Sequence, residues 1–325
     1  MMLALLKALS DSTRLRLLGI LSHGEFTVQE LTAILAMGQS RISRHLRILT
    51  DVGVASVKRQ GTWGYYGLDR KNPLFQAIWE HLQEHLEEMD DWRADRRNLI
   101  SILEERRVRS QRFFDQHASR WDRLTRDLLP VADYRDELLD QIPDCSTLLE
   151  VGCGTGGLLL SLRGRAERLL AVDHSLAMLN EARRRCGPVE GRAIEFRLGE
   201  MSHLPLGDGE VDWAVLNMVL HHAPQPAAVL QELARVLVPG GGLTIADLQR
   251  HDREWVRDEL ADQWLGFGVE ELENWFIAAG FCRPLVSRIS GREQQCPVLL
   301  CMGRKAQHSS QIMTKIGNTS NRQPC

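Results

Sequence analysis

The 325-residue sequence has no run of apolar residues long enough for a membrane-spanning helix. Such a helix needs about 18 or more consecutive apolar residues. The opening stretch, MMLALLKALSDST, is too short and is interrupted too soon by charge to act as a signal peptide. We therefore expect no membrane partner and a cytoplasmic location.

Cysteine is present but is not arranged in pairs. The seven cysteines are an odd number and include no CxxC motif. Disulfide-rich secreted domains and structural zinc sites carry cysteines at short, regular spacings. The scattered cysteines argue against a disulfide framework and favour a reducing compartment, and no metal site is predicted.

Charge of both signs is present but is unevenly distributed. Residues 1–72 carry a net charge of +5, and the rest of the chain carries −8, within a total of −3. A small basic segment joined to a larger acidic one indicates that the front end contacts an anion such as nucleic acid. Ordinary scatter of surface charge is the alternative. The length allows about two domains, at roughly 100–200 residues each.

Residues 1–72 contain short helical patterns and then a hairpin pattern. DSTRLRLLGILS has an N-cap candidate at Asp11 or Ser12, and TVQELTAILA begins with a capping box formed by Thr27 and Glu30. MGQSRISRHLRILTDVG follows, with a turn at Gly38. This last segment buries one face through apolar residues at helical spacing, namely Ile42, Leu46 and Leu49.

The opposite face of that segment is polar and rich in arginine. A bracing helix, a glycine turn and a second helix with such a face are what a helix-turn-helix needs to contact bases and phosphates. VASVKRQGTWGYYGL then alternates and turns at Gln60-Gly61, which predicts a basic hairpin placed as a wing. The predicted DNA-contacting residues are Gln39, Ser40, Arg41, Ser43, Arg44, Lys58 and Arg59, and Arg47 lies on the same face.

The segments KALSDSTRLRLLGIL, TVQELTAIL and QSRISRHLRILTDVGVASVKRQGTWGYYGL resemble the ArsR family of winged-helix repressors. The resemblance covers roughly residues 3–95 and implies binding to double-stranded DNA. Metal-sensing members of the family carry a cysteine pair in the helix before recognition, whereas FTVQELTAIL has no cysteine. A soft-metal signal is therefore not expected at that helix. A helical module that only dimerises is the alternative.

Residues 73–110 are predicted to form a helical dimerisation and connector segment. Phe75, Leu82 and Met89 repeat at seven, with Ile78 and Trp92 partly filling the second apolar position. This pattern favours a helix that pairs with its twin. ArsR-like proteins dimerise through terminal helices, so the resemblance implies a homodimer and a palindromic operator. The charged segment EERRVRSQR is predicted to be a solvated hinge.

A glycine-rich turn lies near the middle of the chain, in LLEVGCGTGGLLLSL. STLLEV is predicted to be a buried strand, and the glycines of GCGTGG let the backbone turn tightly and approach a ligand. A second strand, RLLAVD, ends in Asp173, 19 residues beyond Gly154, where an acid can bind the ribose hydroxyls of a nucleoside. The glycine pattern alone also fits a dinucleotide. Glu150 and the absence of a second substrate domain favour another nucleoside.

LLEVGCGTGG, AVDHSLAMLNEAR, FRLGEMSHLPLGDGEVDWAVLNMVLHHAPQP and ELARVLVPGGGLTIADL resemble class I S-adenosylmethionine-dependent methyltransferases, over about residues 110–304. The resemblance implies a Rossmann-like α/β domain with a seven-stranded, mostly parallel sheet. It also implies that S-adenosylmethionine (SAM) or S-adenosylhomocysteine (SAH) binds here. The implied cofactor residues are Glu150, Gly152, Gly154, Gly156, Asp173, His174, Glu200, Met201 and Asn217. The family commonly has Asp where this chain has Glu200, which weakens the adenine assignment.

Substrate residues are less clearly marked. His221 and His222 follow a predicted strand and face the presumed acceptor; either could act as a general base, or could position and pack. Trp255, Trp264 and Phe267 either wall a substrate pocket or belong to the core. The cysteines are not arranged as in arsenic methyltransferases, so arsenic is not the expected acceptor.

The sequence therefore predicts two domains. A mainly α winged helix-turn-helix covers residues 1–72 and the connector covers 73–110. An α/β Rossmann-like methyltransferase domain covers 111–305, and a disordered tail covers 306–325. The expected function is a DNA-binding regulator that senses SAM or SAH or methylates a small molecule. The alternative is a small-molecule methyltransferase whose winged helix serves dimerisation or autoregulation.

Overall fold

The computed structural model describes residues 2–187 and 193–307. The chain divides into two compact units, which meet in sequence between Arg109 and Ser110. Most of the predicted tail, residues 308–325, lies outside the described residues. Among the helices that are described, none combines the length and the apolar character needed to cross a membrane.

The first unit is mainly helical and carries a three-stranded antiparallel sheet in the order β1-β3-β2. The hairpin of β2 and β3 pairs Gln60 with Trp63, so its turn consists of Gly61 and Thr62. This arrangement confirms the winged helix. Its elements are α1 (Met2–Leu9), α2 (Ser12–Leu21), β1 (Phe26–Thr27), α3 (Val28–Leu35), α4 (Gln39–Asp51), β2 (Ala55–Gln60), β3 (Trp63–Leu68), α5 (Pro73–Leu82) and the first part of α6 (Trp92–His117).

The helix starts in this unit follow the capping signals in the sequence. The Asp11 side chain caps α2 by accepting a hydrogen bond from the Arg14 amide at 3.0 Å. Thr27 and Glu30 form the reciprocal capping box at the start of α3. The apolar face of α4 is completely buried, as its spacing predicted; its members are Ile42, Leu46 and Leu49.

The connector differs from the continuous helical tract that the sequence predicted. Helix α5 ends at Leu82, a 3₁₀ turn covers Gln83–Glu88, and α6 begins only at Trp92. Phe75 and Trp92 are buried in the core of their own unit, and Leu82 packs against the same core. Most of the apolar repeat therefore packs against the winged helix of its own chain.

Three ion pairs hold the start and the middle of α6 against the winged helix. The Arg16 guanidinium donates to both carboxylate oxygens of Asp95, at 2.5 and 2.7 Å, and to Asp91 at 2.7 Å. Arg106 donates to Glu30 at 2.7 Å. Bidentate arginine–carboxylate pairs are geometrically specific, so these contacts define how the chain returns across the helices after the wing.

The second unit has a seven-stranded sheet in the order β6-β5-β4-β7-β8-β10-β9. Strands β4 to β8 are parallel, and β10 runs antiparallel to both neighbours. The Rossmann-like prediction is confirmed. Its elements are α7 (Trp121–Leu128), α8 (Arg135–Asp140), β4 (Cys145–Val151), α9 (Leu159–Leu162), β5 (Ala166–Asp173), α10 (Leu176–Cys186), β6 (Ile194–Leu198), β7 (Val211–Asn217), α11 (Pro226–Val236), β8 (Leu237–Leu248), α12 (Val256–Glu259), α13 (Val269–Ala278), β9 (Phe281–Ile289) and β10 (Val298–Lys305).

The parallel strands place their polar carboxyl ends at one edge of the sheet. The middle of β4, β5, β7 and β8 is a buried, mainly apolar run, as in Leu148–Val151 except for Glu150, whereas the edge strand β6 is only partly buried. Asp173 ends β5, Asn217 ends β7 and Asp247 lies at the end of β8. Ligands of open α/β sheets bind at this edge, where the strand order reverses between β4 and β7.

Candidate cofactor pocket and DNA-contacting helix

The polar face of α4 is exposed to solvent along its length. Gln39, Ser40, Arg41, Ser43 and Arg44 are all exposed, and so is Arg47. Within residues 2–187 and 193–307, none of the three arginines has an ion-pair or hydrogen-bond partner for its side chain. The helix therefore presents three free guanidinium groups, a suitable surface for phosphate oxygens and base edges.

The wing adds a fourth cationic group. Arg59 is exposed on β2, opposite Gly64 of β3. Lys58 is half-buried and pairs in register with Tyr65. Neighbouring residues of a strand point to opposite faces, so Arg59 is the freer of the two predicted wing contacts.

The glycine turn after β4 adopts the backbone conformations that glycine alone adopts readily. Gly152, Gly154 and Gly156 have φ values of 69°, 51° and 77°. A Cβ atom at Gly152 would lie 2.2 Å from Val219, whereas one at Gly154 would have no described atom within 4 Å. Gly154 therefore faces open space, as expected of a backbone that a ligand approaches.

The predicted ribose acid, Asp173, is connected to this turn. Its Oδ2 accepts a hydrogen bond from the Gly154 amide at 2.8 Å, and its Oδ1 accepts one from the Ser175 amide at 2.9 Å. Oδ1 also lies 3.5 Å from His174 Nδ1, so Oδ2 is the oxygen that keeps a lone pair available for a hydroxyl. The side chain is therefore fixed in position beside the glycine turn.

A cavity of about 560 Å³ opens beside the turn. Four predicted cofactor residues line it: Glu150, Gly152, Gly154 and Asn217. The other five, which are Gly156, Asp173, His174, Glu200 and Met201, are not in its lining. The remaining wall comes mainly from the segment 121–135 and from the loops after β7 and α12, including Tyr134, Met218, His221, His222 and Asp262.

Glu150 is a buried carboxylate without sufficient partners. The residue is 2% exposed, and its Oε2 atom has no hydrogen-bond partner among the described residues. Burial raises the pKa of Glu150 to about 8, partly opposed by Arg135 and reinforced by Asp173. A buried carboxylate of this kind favours a cationic ligand, because the ligand replaces the solvent that the charge has lost.

Asn217 is held by a residue far away in the sequence. The Tyr134 hydroxyl donates to its Oδ1 at 2.8 Å, and burial raises the pKa of Tyr134. Met218, which follows, has a φ of 54°, a conformation that is uncommon for a residue other than glycine. Tyr134 was not predicted, because no local sequence pattern marks it.

His174 lies under the end of α6. Ser110 and Gln111 form hydrogen bonds with its ring and its carbonyl, at 3.4 and 3.2 Å. The Phe114 ring meets the His174 ring edge-on, with centroids 5.4 Å apart. The end of α6 therefore packs against the residue that was predicted on the adenine side. Glu200 and Met201, predicted at the adenine edge, are half-buried at the end of β6.

His221 and His222 are buried together with two aspartates. The Asp247 Oδ1 atom lies 2.7 Å from His221 Nδ1. Asp262 Oδ1 lies 3.6 Å from both His221 Nε2 and His222 Nδ1. Burial lowers the pKa of His221, but Asp247 and Asp262 outweigh it and raise the pKa. Burial and the neighbouring His221 hold the pKa of His222 well below its usual value.

Sequence analysis did not predict the two aspartates of this cluster, Asp247 and Asp262. Asp247 ends a parallel strand, and that position could have marked it. Asp262 lies in the loop after α12, where nothing in the sequence distinguishes it from other acidic residues.

The aromatic residues that were predicted either to line a substrate pocket or to belong to the core do not line the cavity. Trp264 and Phe267 are 2% and 0% exposed, so they belong to the core. Trp255 is 39% exposed.

Comparison with known proteins identifies both domains. Residues 11–57 match the bacterial regulatory protein family arsR, and residues 149–245 match a methyltransferase domain family. An uncharacterised 37.1 kDa protein of transposon Tn4556 from Streptomyces fradiae is 36% identical over 119 residues, which are 35% of this chain and 34% of that protein.

An arsenite methyltransferase of Halobacterium salinarum is 34% identical over 105 residues, which are 31% of this chain and 27% of the enzyme. Among solved structures, an S-adenosylmethionine-dependent methyltransferase from Mesorhizobium loti is 20% identical with a TM-score of 0.45, covering 52% of this chain and 96% of that one. This chain thus spans only about a third or less of the two curated relatives. An ArsR-family helix-turn-helix domain thus covers residues 11–57, and a methyltransferase domain covers residues 149–245.

Proposed function

We propose that this chain is a DNA-binding regulator of the ArsR type whose methyltransferase domain binds SAM or SAH. The observation that carries DNA binding is the row of free guanidinium groups on α4, reinforced by Arg59 on the wing. Cationic side chains that lack protein partners bind DNA phosphates by displacing condensed counterions. The residues that would contact DNA are Gln39, Ser40, Arg41, Ser43, Arg44, Lys58 and Arg59.

Cofactor binding is supported by the fit between the turn and a cationic nucleoside. The open space at Gly154 allows the ligand to approach the protein backbone. The Glu150 carboxylate, whose Oε2 atom has no hydrogen-bond partner among the described residues, favours the positively charged methionine end of SAM. The proposed contacts are Glu150, Gly152, Gly154 and Gly156 to the methionine and ribose end, Asp173 to the ribose, His174, Glu200 and Met201 to the adenine, and Asn217 near the methionine. SAM supplies an electrophilic methyl group on a sulfonium.

We propose further that the regulator is a homodimer that binds a palindromic operator. Helix α1 supports this state, because Met2, Leu3 and Leu6 are 61%, 68% and 46% exposed on the described surface. Exposed apolar side chains clustered on one terminal helix favour association. In a dimer with twofold symmetry, the two recognition helices would contact related half-sites.

The second candidate function is that of a small-molecule methyltransferase, and the cavity favours it. The space continues beyond the glycine turn to His221 and His222, where an acceptor could align with the methyl group of SAM. Methyl transfer from a sulfonium is a direct displacement that needs mainly alignment. We do not propose arsenite as the acceptor, because Cys153 is the single cysteine among the described cavity-lining residues.

One experiment separates the sensor from the enzyme. The full chain is used to select a binding site from a random duplex library, and its affinity for that site is measured by fluorescence anisotropy without ligand, with SAM and with SAH. A sensor changes affinity, typically by about 5–150-fold, and DNA must change cofactor affinity by the same factor. Identical affinity in all three states contradicts the sensor, and the absence of a selected, salt-sensitive site contradicts the regulator.

A further inference from the structure

The carboxylate of Asp262 is the least satisfied polar group of the cavity. Its side chain is 1% exposed, yet neither oxygen has a hydrogen-bond partner in the part of the chain that the structure describes. Buried carboxylates are normally paired with a cation or hydrogen-bonded several times, because an isolated buried charge is costly. The geometry thus points to a ligand of positive charge.

Two imidazole rings lie at the distances that a metal ion would require. Asp262 Oδ1 is 3.6 Å from His221 Nε2 and 3.6 Å from His222 Nδ1. The three residues each offer one ligand atom, and these atoms lie within 4.8 Å of one another. Ligands about 2.0–2.2 Å from a tetrahedral ion are themselves roughly 3.4 Å apart, so a small cation fits with little movement.

The surroundings of His221 are those of a metal-binding histidine. Its Nδ1 lies 2.7 Å from Asp247 Oδ1, which leaves Nε2 directed towards Asp262. Metal-ligating histidines commonly donate their second ring N–H to a carboxylate, which fixes both the tautomer and the ring. Asp247 is itself fixed, because its oxygens also accept from the Leu248 and His221 amides.

The loop that carries Asp262 is held in place by the same histidine. The amides of Gln263 and Trp264 both donate to the His221 carbonyl, each at 3.0 Å. Ala261 has a φ of 58°, which turns the chain immediately before Asp262. Binding through His222 Nδ1 replaces one long hydrogen bond, of 3.3 Å, to the Ala261 carbonyl.

We propose that His221, His222 and Asp262 bind a divalent transition-metal ion such as Zn²⁺, Fe²⁺ or Co²⁺. Two imidazoles and one carboxylate are the donor set that such borderline ions prefer, and three protein ligands leave coordination positions open. All three residues line the cavity, so the open positions face the space beside Glu150 and Gly152. The site is independent of the proposed regulatory function.

The test uses the full chain, without an affinity tag, after removal of metals with a chelator. Co²⁺ is added and its visible absorption is followed, and Zn²⁺ is then used as the competitor. We expect one Co²⁺ per chain in a site with nitrogen and oxygen ligands, and Zn²⁺ should raise the temperature of unfolding because it binds the folded state.

Asp262→Asn should weaken Co²⁺ binding at least about tenfold and remove the stabilisation by Zn²⁺. The variant should fold, because it keeps the shape of the side chain and breaks no hydrogen bond of the carboxylate, and circular dichroism checks this. Asp258→Asn, an exposed position four residues earlier, is the matched control and should bind like the wild type. His222→Gln gives a second test if Asp262→Asn does not fold. Absence of Co²⁺ binding, or binding that these substitutions leave unchanged, overturns the proposal.

Discussion

The recognition helix and the cavity both carry ionisable side chains with atoms that lack a hydrogen-bond partner within the described residues, but their surroundings differ. On α4 the unpaired groups are arginines in water, where an unpaired charge is well solvated. In the cavity they are Glu150 and Asp262, each almost completely removed from solvent. A free charge in water costs the fold little, whereas a carboxyl group without hydrogen bonds in the interior is costly to ionise, so burial raises the pKa of both Glu150 and Asp262.

This difference predicts two kinds of recognition within one chain. A ligand of the exposed arginines competes with dissolved salt, so its affinity depends on ionic strength. A ligand of the buried carboxylates replaces missing solvation, so its affinity depends on pH and its binding stabilises the fold. The predictions below test each side of this comparison, beginning with the largest expected effect.

Gly154→Val should lower the affinity for SAH by more than about 100-fold, or roughly 2.7 kcal/mol. A Cβ atom at this position would have no described protein atom within 4 Å, so we expect the valine side chain to occupy the space that the ligand needs. The positive φ of 51° adds strain of about 1–2 kcal/mol to the folded state. Isothermal titration calorimetry with SAH measures the loss.

Gly280→Val is the control for that strain. Gly280 has a φ of 88° and equally open surroundings, but it lies after α13, outside the cavity lining. The Gly280→Val variant should have a lower free energy of unfolding and an unchanged affinity for SAH. If the two variants bind SAH within a few-fold of each other, the turn does not contact the ligand.

Arg44→Ala should weaken binding to the selected operator by about 1–3 kcal/mol if the guanidinium contacts a base. The exposed side chain has no described protein partner, so its removal should leave the free energy of unfolding unchanged. Anisotropy at two salt concentrations separates loss of specificity from loss of phosphate contacts. Arg288→Ala removes an exposed arginine from β9 and should bind as the wild type does. Equal affinity of both variants would mean that α4 does not contact DNA.

Glu150→Gln should remove a pH dependence that the wild type shows. The pKa of Glu150 is about 8 in the folded state, against an ordinary value of 4.5. Between these values the folded chain binds the extra proton, so the free energy of unfolding falls as pH rises from about 4.5 to 8. The slope is at most about 1.4 kcal/mol per pH unit. Thermal unfolding across this range should show the slope in the wild type and a smaller slope in the variant.

Cofactor affinity should change with the opposite sign. A cationic ligand favours the ionised carboxylate, so below pH 8 SAM must displace a proton from Glu150. SAM should therefore bind more tightly as pH rises to about 8, by up to tenfold per unit, and calorimetry should detect the released proton. Glu137→Gln, exposed on α8, is the control. If the wild type and Glu150→Gln release the same number of protons on binding SAM, Glu150 is not part of the binding site.

Much of the architecture follows from signals that span a few residues. The capping box at Thr27, the buried stripe of α4 and the hairpin at Gly61 all depend on neighbours within one or two turns of chain. The glycine turn and the acid at the end of β5 are similarly local, because each follows its own strand. Backbone preferences and periodic burial act over these short distances, so local patterns predicted these elements, while the complete sheet of the second domain was implied by a family resemblance.

Contacts between distant segments were decided by packing. Tyr134 meets Asn217 across 83 residues, and Arg16 meets Asp95 across 79. The apolar repeat after the wing looked available for a second chain, but the fold places Phe75 and Trp92 in their own core. Which apolar surface a segment covers depends on where the rest of the chain has placed such surfaces, and no local pattern contains that information.

The proposed metal ligands His221, His222 and Asp262 show most clearly which features local sequence predicts and which depend on packing. The adjacent histidines were visible in the sequence, and so was the strand that ends near Asp247. Asp262 became significant only when its loop turned at Ala261 and brought a bare carboxylate to within 3.6 Å of both rings. The sequence determined which chemical groups the cavity could use. The tertiary structure alone decided which of them lost their water without gaining a partner, because desolvation depends on every segment packed around a group.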